Sequence, residues 1–411
     1  MRTQYCRVCG NELSYTFVDL GLSPLANSYV SSSKLQQMEP MYPLRTFVCE
    51  HCFLVQVEEF ESPQHIFEDY AYFSSFSDSW LEHCSNYATK VTRQFKLSSE
   101  SNVIEIASND GYLLQYFQRQ HISVVGIEPA VNVAKEAEKK GIPTIVDFFG
   151  PALAQKLVSD GVRADLLIGN NVLAHVPELN DFVKGMKMLL CESGVITMEF
   201  PHLMKLIQQC QFDTIYHEHY SYFSFTTVYQ LFEKHGLQLF DVEELVTHGG
   251  SLRIYAKHID NPEHPITENV GSLLREEETF GIKSMEMYQK YKEEVKKLRR
   301  QLVRFLVDLK DSGKTIAGYG APAKGNTLLN YCGLDKDFLD YTVDRSPHKQ
   351  NMFLPGSRIP IYSPDYLKET RPDYVLILPW NLKYEIIEQT EYIREWGGKW
   401  IVPIPVVEVI N

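Results

Sequence analysis

The 411-residue sequence contains no run of about 18 apolar residues, so we expect no helix that spans a membrane. Its start, MRTQYCRVCGNEL, has no apolar core followed by a small-residue cleavage site, and we therefore expect no signal peptide and a cytoplasmic location. Positive charge is also scarce. The net charge of −13 argues against nucleic acid or an anionic membrane as the main partner. The composition, 44% hydrophobic and 23% charged, is typical of a soluble globular protein of more than one domain.

Cysteine is sparse, with eight residues, and a cytosolic chain of this length needs no disulfide framework. Four of the eight form two C-x-x-C pairs, Cys6 with Cys9 and Cys49 with Cys52. Each pair can place two thiolates on one face of a tetrahedral ion, so the pattern predicts a structural zinc site with four thiolate ligands. A closed shell of four sulfurs leaves no position for a substrate. We therefore expect the zinc to fold the N-terminal module and to do no chemistry.

Strand, turn and helix patterns alternate through the middle of the chain and again near its end. Val103 to Ala107 is a short apolar strand, SNDG is a turn, YLLQYF opens a helix, and VVGIEP is a second strand that ends in an acid. This is the first half of a doubly wound α/β sheet. The predicted parts are a zinc-binding module with a lead-in loop at 1–74, a Rossmann-like domain at 75–263, a helical connector at 264–311 with a solvated charged face, and a smaller α/β domain at 312–411.

The first turn lacks the G-x-G-x-x-G pattern with which a dinucleotide-binding domain approaches a pyrophosphate. In its place stands EIASNDGYLL, in which Glu105 and Asp110 would repel a pyrophosphate but suit an ammonium, a sulfonium and a ribose. The turn therefore predicts S-adenosylmethionine (SAM) rather than NAD, with Glu128 on the ribose hydroxyls. The alternative is a Rossmann-like domain with an inert turn. The candidate cofactor-binding residues are Glu105, Ala107, Asn109, Asp110, Gly111, Glu128, Pro129, Asp147 and Phe148 beside the adenine, and Asn170 and Asn171 beside the sulfonium.

The motifs occur in an order that is itself informative: the four-cysteine module, YAYFSSFSDSW, EIASNDGYLL, GIEPA, NNVLAHVP, EFPHL, FDTIYHEHYSYFS, HGGSLRIY and GYGAPAKGNTLLN. Across essentially the whole chain this order closely resembles the deoxysugar C-methyltransferases, which methylate C3 of nucleotide-linked 4-keto-6-deoxyhexoses. The resemblance implies a zinc module, a central SAM-dependent methyltransferase domain, and a C-terminal α/β domain that helps to hold the sugar. It implies a thymidine-diphosphate (TDP)-linked 4-keto-6-deoxy sugar as substrate, in branched-chain deoxysugar biosynthesis. We expect a monomer or a weak dimer.

The stretch FDTIYHEHYSYFS contains two histidines, one glutamate and three tyrosines. For carbon methylation, a base must remove the C3 proton beside the keto group, and a donor must stabilise the resulting enolate. The resemblance implies that His219 is the base, since imidazole titrates near working pH. It implies that Glu218 orients or charge-balances a neighbour and that Tyr216 contacts the sugar near the reacting carbons.

Three further groups of residues complete the predicted site. The resemblance places His175 of LAHVP near the enolate oxygen, with the alternative that His175 rather than His219 is the base. It places Tyr70 and Tyr72 over the sugar and cofactor, and does not decide which of the two faces the sugar. In the C-terminal domain, the glycine turn of GYGAPAKGN resembles a phosphate-binding turn. The predicted substrate-binding residues there are Lys324, Asn326, Thr327 and Asp344.

Two other functional classes remain open from the sequence. A SAM-dependent O- or N-methyltransferase would explain the cofactor turn, but it needs neither the YHEH cluster nor a second nucleotide-like domain. A non-catalytic scaffold that binds zinc and a nucleotide would explain the modules, but not the acids of the turn or the YHEH cluster.

Overall fold

The computed structural model describes residues 4–62, 64, 74–76 and 78–411, so Tyr70 and Tyr72 lie outside the described residues. Strands and helices are numbered in chain order. The strands are β1 Tyr15–Ser23, β2 Tyr42–Val48, β3 Val55–Val57, β4 Asn102–Ile106, β5 Ser123–Ile127, β6 Thr144–Ile145, β7 Ala164–Asn170, β8 Leu190–Pro201, β9 Ser221–Tyr222, β10 Leu237–Leu245, β11 Ser251–His258, β12 Ile316–Tyr319, β13 Thr342–Val343, β14 Ile361–Tyr362, β15 Tyr374–Ile377, β16 Lys399–Val402 and β17 Glu408–Ile410.

The helices alternate with these strands from β4 onwards. They are α1 Asp78–Gln94, α2 Leu114–Gln118, α3 Val131–Lys139, α4 Pro151–Ser159, α5 Leu179–Leu189, α6 Leu203–Gln208, α7 Phe225–Lys234, α8 Glu268–Phe280, α9 Met285–Asp311, α10 Ala323–Cys332, α11 Tyr366–Thr370 and α12 Lys383–Gln389. Within the described ranges, none of them is both long enough and apolar enough to cross a membrane.

The N-terminal sheet has the order β1-β2-β3-β9. Its fourth strand, β9, comes from the middle of the chain and directly follows the YHEH segment. Val55 pairs with Tyr222 and Gln56 with Ser221 in an antiparallel arrangement. The zinc-binding module therefore holds the end of the segment that carries the predicted catalytic residues.

The central sheet has the order β10-β11-β8-β7-β4-β5-β6, with β8 through β6 parallel and β10 and β11 antiparallel at one edge. Its inner strands are buried apolar runs, as a sheet covered by helices on both faces requires. The strand order reverses between β4 and β7, and in such sheets a ligand crevice opens at the carboxyl ends of these strands. The Rossmann-like prediction is confirmed.

The C-terminal domain contains a six-stranded sheet of order β14-β13-β12-β15-β16-β17, parallel except for β17. The glycine turn after β12 leads into α10. At Gly320, where φ is 88°, a Cβ atom would lie 2.6 Å from Cδ of Pro379, so this position needs glycine.

The predicted connector consists of α8 and α9, and α9 is more than a solvated spacer. Buried residues recur along it every three or four positions, from Tyr288 and Tyr291 to Leu306. Phe17 of β1 stacks on Tyr291 with ring centroids 4.7 Å apart. One apolar core therefore runs from the zinc module through α9 into the C-terminal sheet.

Candidate active site

The four predicted zinc ligands meet at one point. The Sγ atoms of Cys6, Cys9, Cys49 and Cys52 all lie within 4.8 Å of one another, with Cys6–Cys52 and Cys9–Cys49 separations of 3.4 Å. Ligands about 2.3 Å from a tetrahedral zinc ion are about 3.8 Å apart, so the cluster fits the ion. Three of the thiols are buried and Cys9 is exposed.

Each C-x-x-C pair forms a tight turn that aims its thiols inward. The Gly10 N–H donates to the carbonyl of Cys6 and the Phe53 N–H to that of Cys49, both at 2.9 Å. Gly10 and Phe53 adopt positive φ values of 75° and 59°, as these turns require. The hydroxyl of Thr227 donates to the Cys52 carbonyl at 3.0 Å, which ties the site to α7 of the central domain.

The predicted SAM turn, residues 107–111, has an irregular backbone at the switch point of the central sheet. Ala107, Asn109 and Gly111 have φ values of 57°, 49° and 75°. A Cβ atom on Gly111 would lie 2.9 Å from Cγ1 of Ile142, so glycine is needed for both conformation and space. The turn therefore packs closely against Ile142, in the loop after α3.

Acidic side chains line this crevice. Glu105 is fully buried, and burial raises its pKa well above the usual range, with Glu128 and Asp110 adding repulsion. One oxygen of Asp110 lies 3.1 Å from Nζ of Lys140, and its other oxygen is buried without a hydrogen-bond partner in the described part of the chain. The sulfonium and the ammonium of SAM would offset the negative charge of these carboxyl groups, so the residues present fit SAM.

Glu128 follows β5 and is held by two backbone groups. Its oxygens accept N–H bonds from Asn109 at 3.0 Å and Ala130 at 2.9 Å. Burial raises its pKa to about 6. Each carboxylate oxygen has a second lone pair, so Glu128 can also accept hydrogen bonds from ribose hydroxyls. Pro129 lies beside it at the strand end.

The remaining predicted cofactor residues flank the crevice. Asn170 ends β7, and Asn171 follows it with a φ of 54°. The side-chain oxygens of both are buried, and no described residue donates to them. Asp147 and Phe148 are exposed in the loop after β6, so their role beside an adenine stays a prediction.

His219 is held in one orientation and one tautomer. Its Nδ1–H donates to the carbonyl of Thr214 at 3.1 Å, and its Nε2 accepts from the Tyr216 hydroxyl at 2.8 Å. Burial lowers its pKa well below the usual range, and the nearby His175 lowers it further. The imidazole is therefore neutral at pH 7 and carries its lone pair on Nε2.

His175 lies next to His219 although the two are far apart in sequence. Their ring centroids are 4.8 Å apart in an edge-on arrangement. The Tyr220 N–H donates to the carbonyl of Ala174 at 2.7 Å, which joins the 3-10 turn of His175 to the YHEH segment. Burial lowers the pKa of His175 to about 4.

Glu218 and His217 both contact the zinc module, but in different ways. Both oxygens of Glu218 accept hydrogen bonds from Nδ2 of Asn27, at 2.9 and 2.8 Å, and burial raises the pKa of Glu218 to about 7. His217 donates from Nε2 to the carbonyl of Pro43 at 3.2 Å and packs edge-on against Tyr42. Asn27 was not predicted from the sequence, because no local pattern marks it.

Lys324 extends from the C-terminal domain toward the central domain. Its Nζ donates to Oδ1 of Asn381 at 2.8 Å and lies 4.8 Å from the ring centroid of Trp380. Burial lowers its pKa, an effect that Asp213 opposes. The charge of Lys324 also contributes to the lowered pKa of His219.

The other predicted substrate-binding residues are engaged within the protein. Asn326 donates to the carbonyl of Ala26 at 2.6 Å, and Thr327 donates to that of Ile215 at 3.0 Å. Both are buried, so the structure places them at an interface between parts of the chain rather than on an open surface. Asp344 is partly exposed, and its oxygens accept backbone N–H bonds at 2.7 and 2.8 Å.

A buried charged network borders the crevice and was missed in the sequence. Glu199 lies near the end of β8, is fully buried, and accepts from Arg253 at 2.9 Å. His83 lies 2.9 Å from the same oxygen, and the Thr247 hydroxyl donates to the other at 2.8 Å. Burial opposes ionisation, but His83 and Arg253 keep the pKa of Glu199 below its usual range. The motifs EFPHL and HGGSLRIY contain two of these residues, Glu199 and Arg253, but do not reveal their contacts.

Comparison with known proteins finds matches along the whole chain. Family models match residues 6–67 as a zinc binding domain, 80–242 as a methyltransferase domain, and 246–405 as a C-methyltransferase C-terminal domain. The C-methyltransferase NovU from Streptomyces niveus is 35% identical over 406 residues, which cover 99% of this chain and 96% of that protein.

Similar solved structures cover less than half of the chain. Magnesium protoporphyrin IX methyltransferase from Synechocystis PCC 6803, with bound SAH, is 13% identical over 47% of this chain and 91% of its own, with a TM-score of 0.35. The PH0226 protein from Pyrococcus horikoshii OT3 is 15% identical over 48% of this chain and 99% of its own, with a TM-score of 0.37.

Proposed function

Because the chain belongs to the deoxysugar C-methyltransferase family, we propose that it methylates C3 of a TDP-linked 4-keto-6-deoxy sugar through a base-generated enolate. The chain is a SAM-dependent C-methyltransferase with a four-cysteine zinc site.

The state of His219 is the observation that carries the proposal. Removal of a proton from carbon requires a neutral base whose lone pair is held in a fixed direction. Thr214 holds the proton of His219 on Nδ1, and burial keeps the ring neutral. The hydroxyl of Tyr216 lies at Nε2 of His219. The C3 proton therefore reaches His219 by one of two routes: the phenol relays it, or the phenol moves away and C3 gives its proton to Nε2 directly.

Stabilisation of the enolate is the second requirement. As the proton leaves C3, negative charge develops on O4, and a preorganised donor near that oxygen lowers the barrier. His175 lies next to His219, and we assign this role to it, since the Tyr216 hydroxyl donates its one proton to Nε2 of His219. Because the pKa of His175 is lowered to about 4, it would act as a neutral donor.

SAM, when bound, supplies an electrophilic methyl group. We assign the positively charged methionine end of SAM to Glu105 and Asp110, and its ribose to Glu128. In the C-terminal domain, we assign the anionic part of the sugar nucleotide to Lys324, because the side chain brings a positive charge to the same cleft.

Two measurements test the proposal. Mass analysis of the products from a panel of TDP-4-keto-6-deoxy sugars should show one added methyl group, located on C3 by NMR. Incubation of the substrate in deuterated water with S-adenosylhomocysteine should exchange the C3 proton with wild-type protein and not with His219→Gln. A methyl group found on oxygen or nitrogen would contradict the proposal, as would C3 methylation that His219→Gln leaves intact.

A further inference from the structure

The loop at Thr247–Gly249 has a backbone that is unusual for a non-glycine residue. His248 has φ 54° and ψ 19°, and the next two residues, Gly249 and Gly250, have φ values of 90° and 118°. A Cβ atom on Gly249 would lie 2.6 Å from Cη2 of Trp380, so the loop presses directly against the C-terminal domain. Left-handed backbone is unfavourable for residues other than glycine, and such conformations concentrate at functional sites.

Contacts on both sides fix this loop in place. The Thr247 hydroxyl donates to Glu199, which Arg253 anchors at 2.9 Å. On the other side of His248, the carbonyl of Gly249 accepts from Nε2 of Gln211 at 2.7 Å. The position of His248 is therefore determined by the buried charged network at one end of the loop and by the segment before the YHEH motif at the other.

The ring of His248 contacts Asn171, which is four residues before His175, and the ring of His175 lies 4.8 Å from that of His219. Its Nε2 accepts from Nδ2 of Asn171 at 3.2 Å, which places the proton on Nδ1. No hydrogen bond joins Nδ1 to any residue that the structure describes. Burial lowers the pKa of His248 to about 4, and the charge of Lys324 contributes. His248 in turn lowers the pKa of His219.

We propose that His248 is a substrate-binding residue whose Nδ1–H donates a hydrogen bond to an oxygen of the methyl acceptor. The location supports this, because an acceptor must lie between the methyl end of the cofactor crevice, marked by Asn171, and the base. A neutral imidazole with an available N–H suits a sugar hydroxyl or carbonyl. That the acceptor is a keto sugar rests on the proposed function.

The substitution His248→Asn tests this inference without removing the loop conformation, since asparagine tolerates left-handed backbone better than most residues. The acceptor is whichever TDP-4-keto-6-deoxy sugar the wild type turns over. We expect kcat/KM for that sugar to fall roughly 10-fold or more, mainly through KM, because a buried partner loses its donor. The SAM dissociation constant and Tm should stay close to those of the wild type.

His121 provides a matched control, because it has a φ of 60° and is exposed in the turn after α2. His121→Asn makes the same substitution in the same backbone conformation and should leave kcat/KM unchanged. Wild-type kcat/KM in His248→Asn would overturn the inference. Losses of SAM affinity and Tm that match the loss of activity would also overturn it, since they indicate a structural role.

Different results contradict this inference and the proposed function. Turnover by the wild type supports the function whatever the His248 variant does. If the wild type methylates none of the sugars, the proposed function is wrong, and the acceptor role of His248 is wrong with it.

Discussion

The contact between Asn27 and Glu218 allows a quantitative test of how the zinc module supports the site. Asn27→Ala removes the amide that lies 2.9 and 2.8 Å from the two oxygens of a carboxyl group that is 2% exposed. In this variant the backbone on both sides of residue 27 should keep its position. Asn326 donates to the carbonyl of Ala26, and Tyr29 donates to the carbonyl of Ala321 at 2.5 Å.

The size of the effect follows from the pKa of Glu218. Burial raises it from 4.5 to about 7, and at about 1.36 kcal/mol per unit the ionised, buried form already costs about 3 kcal/mol. Hydrogen bonds to a charged group contribute about 1.5–3 kcal/mol. Removal of the Asn27 amide should therefore raise the pKa of Glu218 further, by roughly 1–2 units.

The dependence on pH has a definite sign. A carboxyl group whose pKa is higher in the folded state costs no stability below its unfolded pKa of 4.5. The cost in stability grows as pH rises from 4.5 to the folded pKa of about 7, and it is fully present above that value. Asn27→Ala should therefore destabilise the protein by about 1.5–3 kcal/mol at pH 9, and by about 1 kcal/mol or less at pH 5.5, where Glu218 is protonated.

Melting temperatures of wild type and variant at these two pH values measure the effect. Asn269→Ala is the control, since it removes an exposed amide 2.9 Å from the carboxylate of Asp241; it should change Tm little at either pH. The reasoning would be refuted if Asn27→Ala lowered Tm equally at both pH values.

Four further outcomes are expected. Cys49→Ser should abolish stoichiometric zinc in metal analysis and lower Tm, because metal binding is part of the folding free energy; full zinc occupancy would contradict the four-thiolate site. Glu128→Ala should weaken SAM binding in calorimetry by roughly 10-fold or more, through loss of charge-assisted hydrogen bonds; equal affinities would refute the ribose assignment. His219→Gln should lower turnover by roughly 10² or more with SAM affinity kept; near-normal turnover would transfer the role of base to His175. His217→Ala should lower Tm and leave turnover close to that of the wild type, since the ring packs against the zinc module; an unchanged Tm with a clear loss of turnover would give His217 a direct role.

Features that depend on residues close in sequence were predictable. The two C-x-x-C pairs each form their turn within five residues, and the cluster joins them as expected. The strand, the acidic turn and the second strand ending in Glu128 also lie within one short segment. Each of these patterns determines its own backbone, so the zinc module and the SAM-dependent domain could be read directly and are confirmed.

Contacts between distant segments were not predictable in this way. The Asn27–Glu218 contact spans 191 residues, and the Glu199–His83 contact spans 116. No local periodicity records such a pairing. Polar residues in glycine turns are equally ambiguous: Asn326 and Thr327 resemble ligand-binding residues in the sequence, yet each donates to the backbone of another part of the chain.

The same long-range contacts join the three modules around the proposed site. The central domain supplies the cofactor crevice and both histidines, but Glu218 depends on Asn27 from the zinc module, and β9 completes that module's sheet. The C-terminal domain contributes the charge of Lys324 and, through Trp380, presses on the loop of His248. Removal of either outer module would expose part of the apolar core. It would also remove a contact at the cleft: that of Asn27 with Glu218 for the zinc module, or that of Trp380 with the His248 loop for the C-terminal domain. The residues that bind SAM should tolerate such a loss better than those of the methyl acceptor site, because the contacts of Glu105 and Glu128 lie within the central domain.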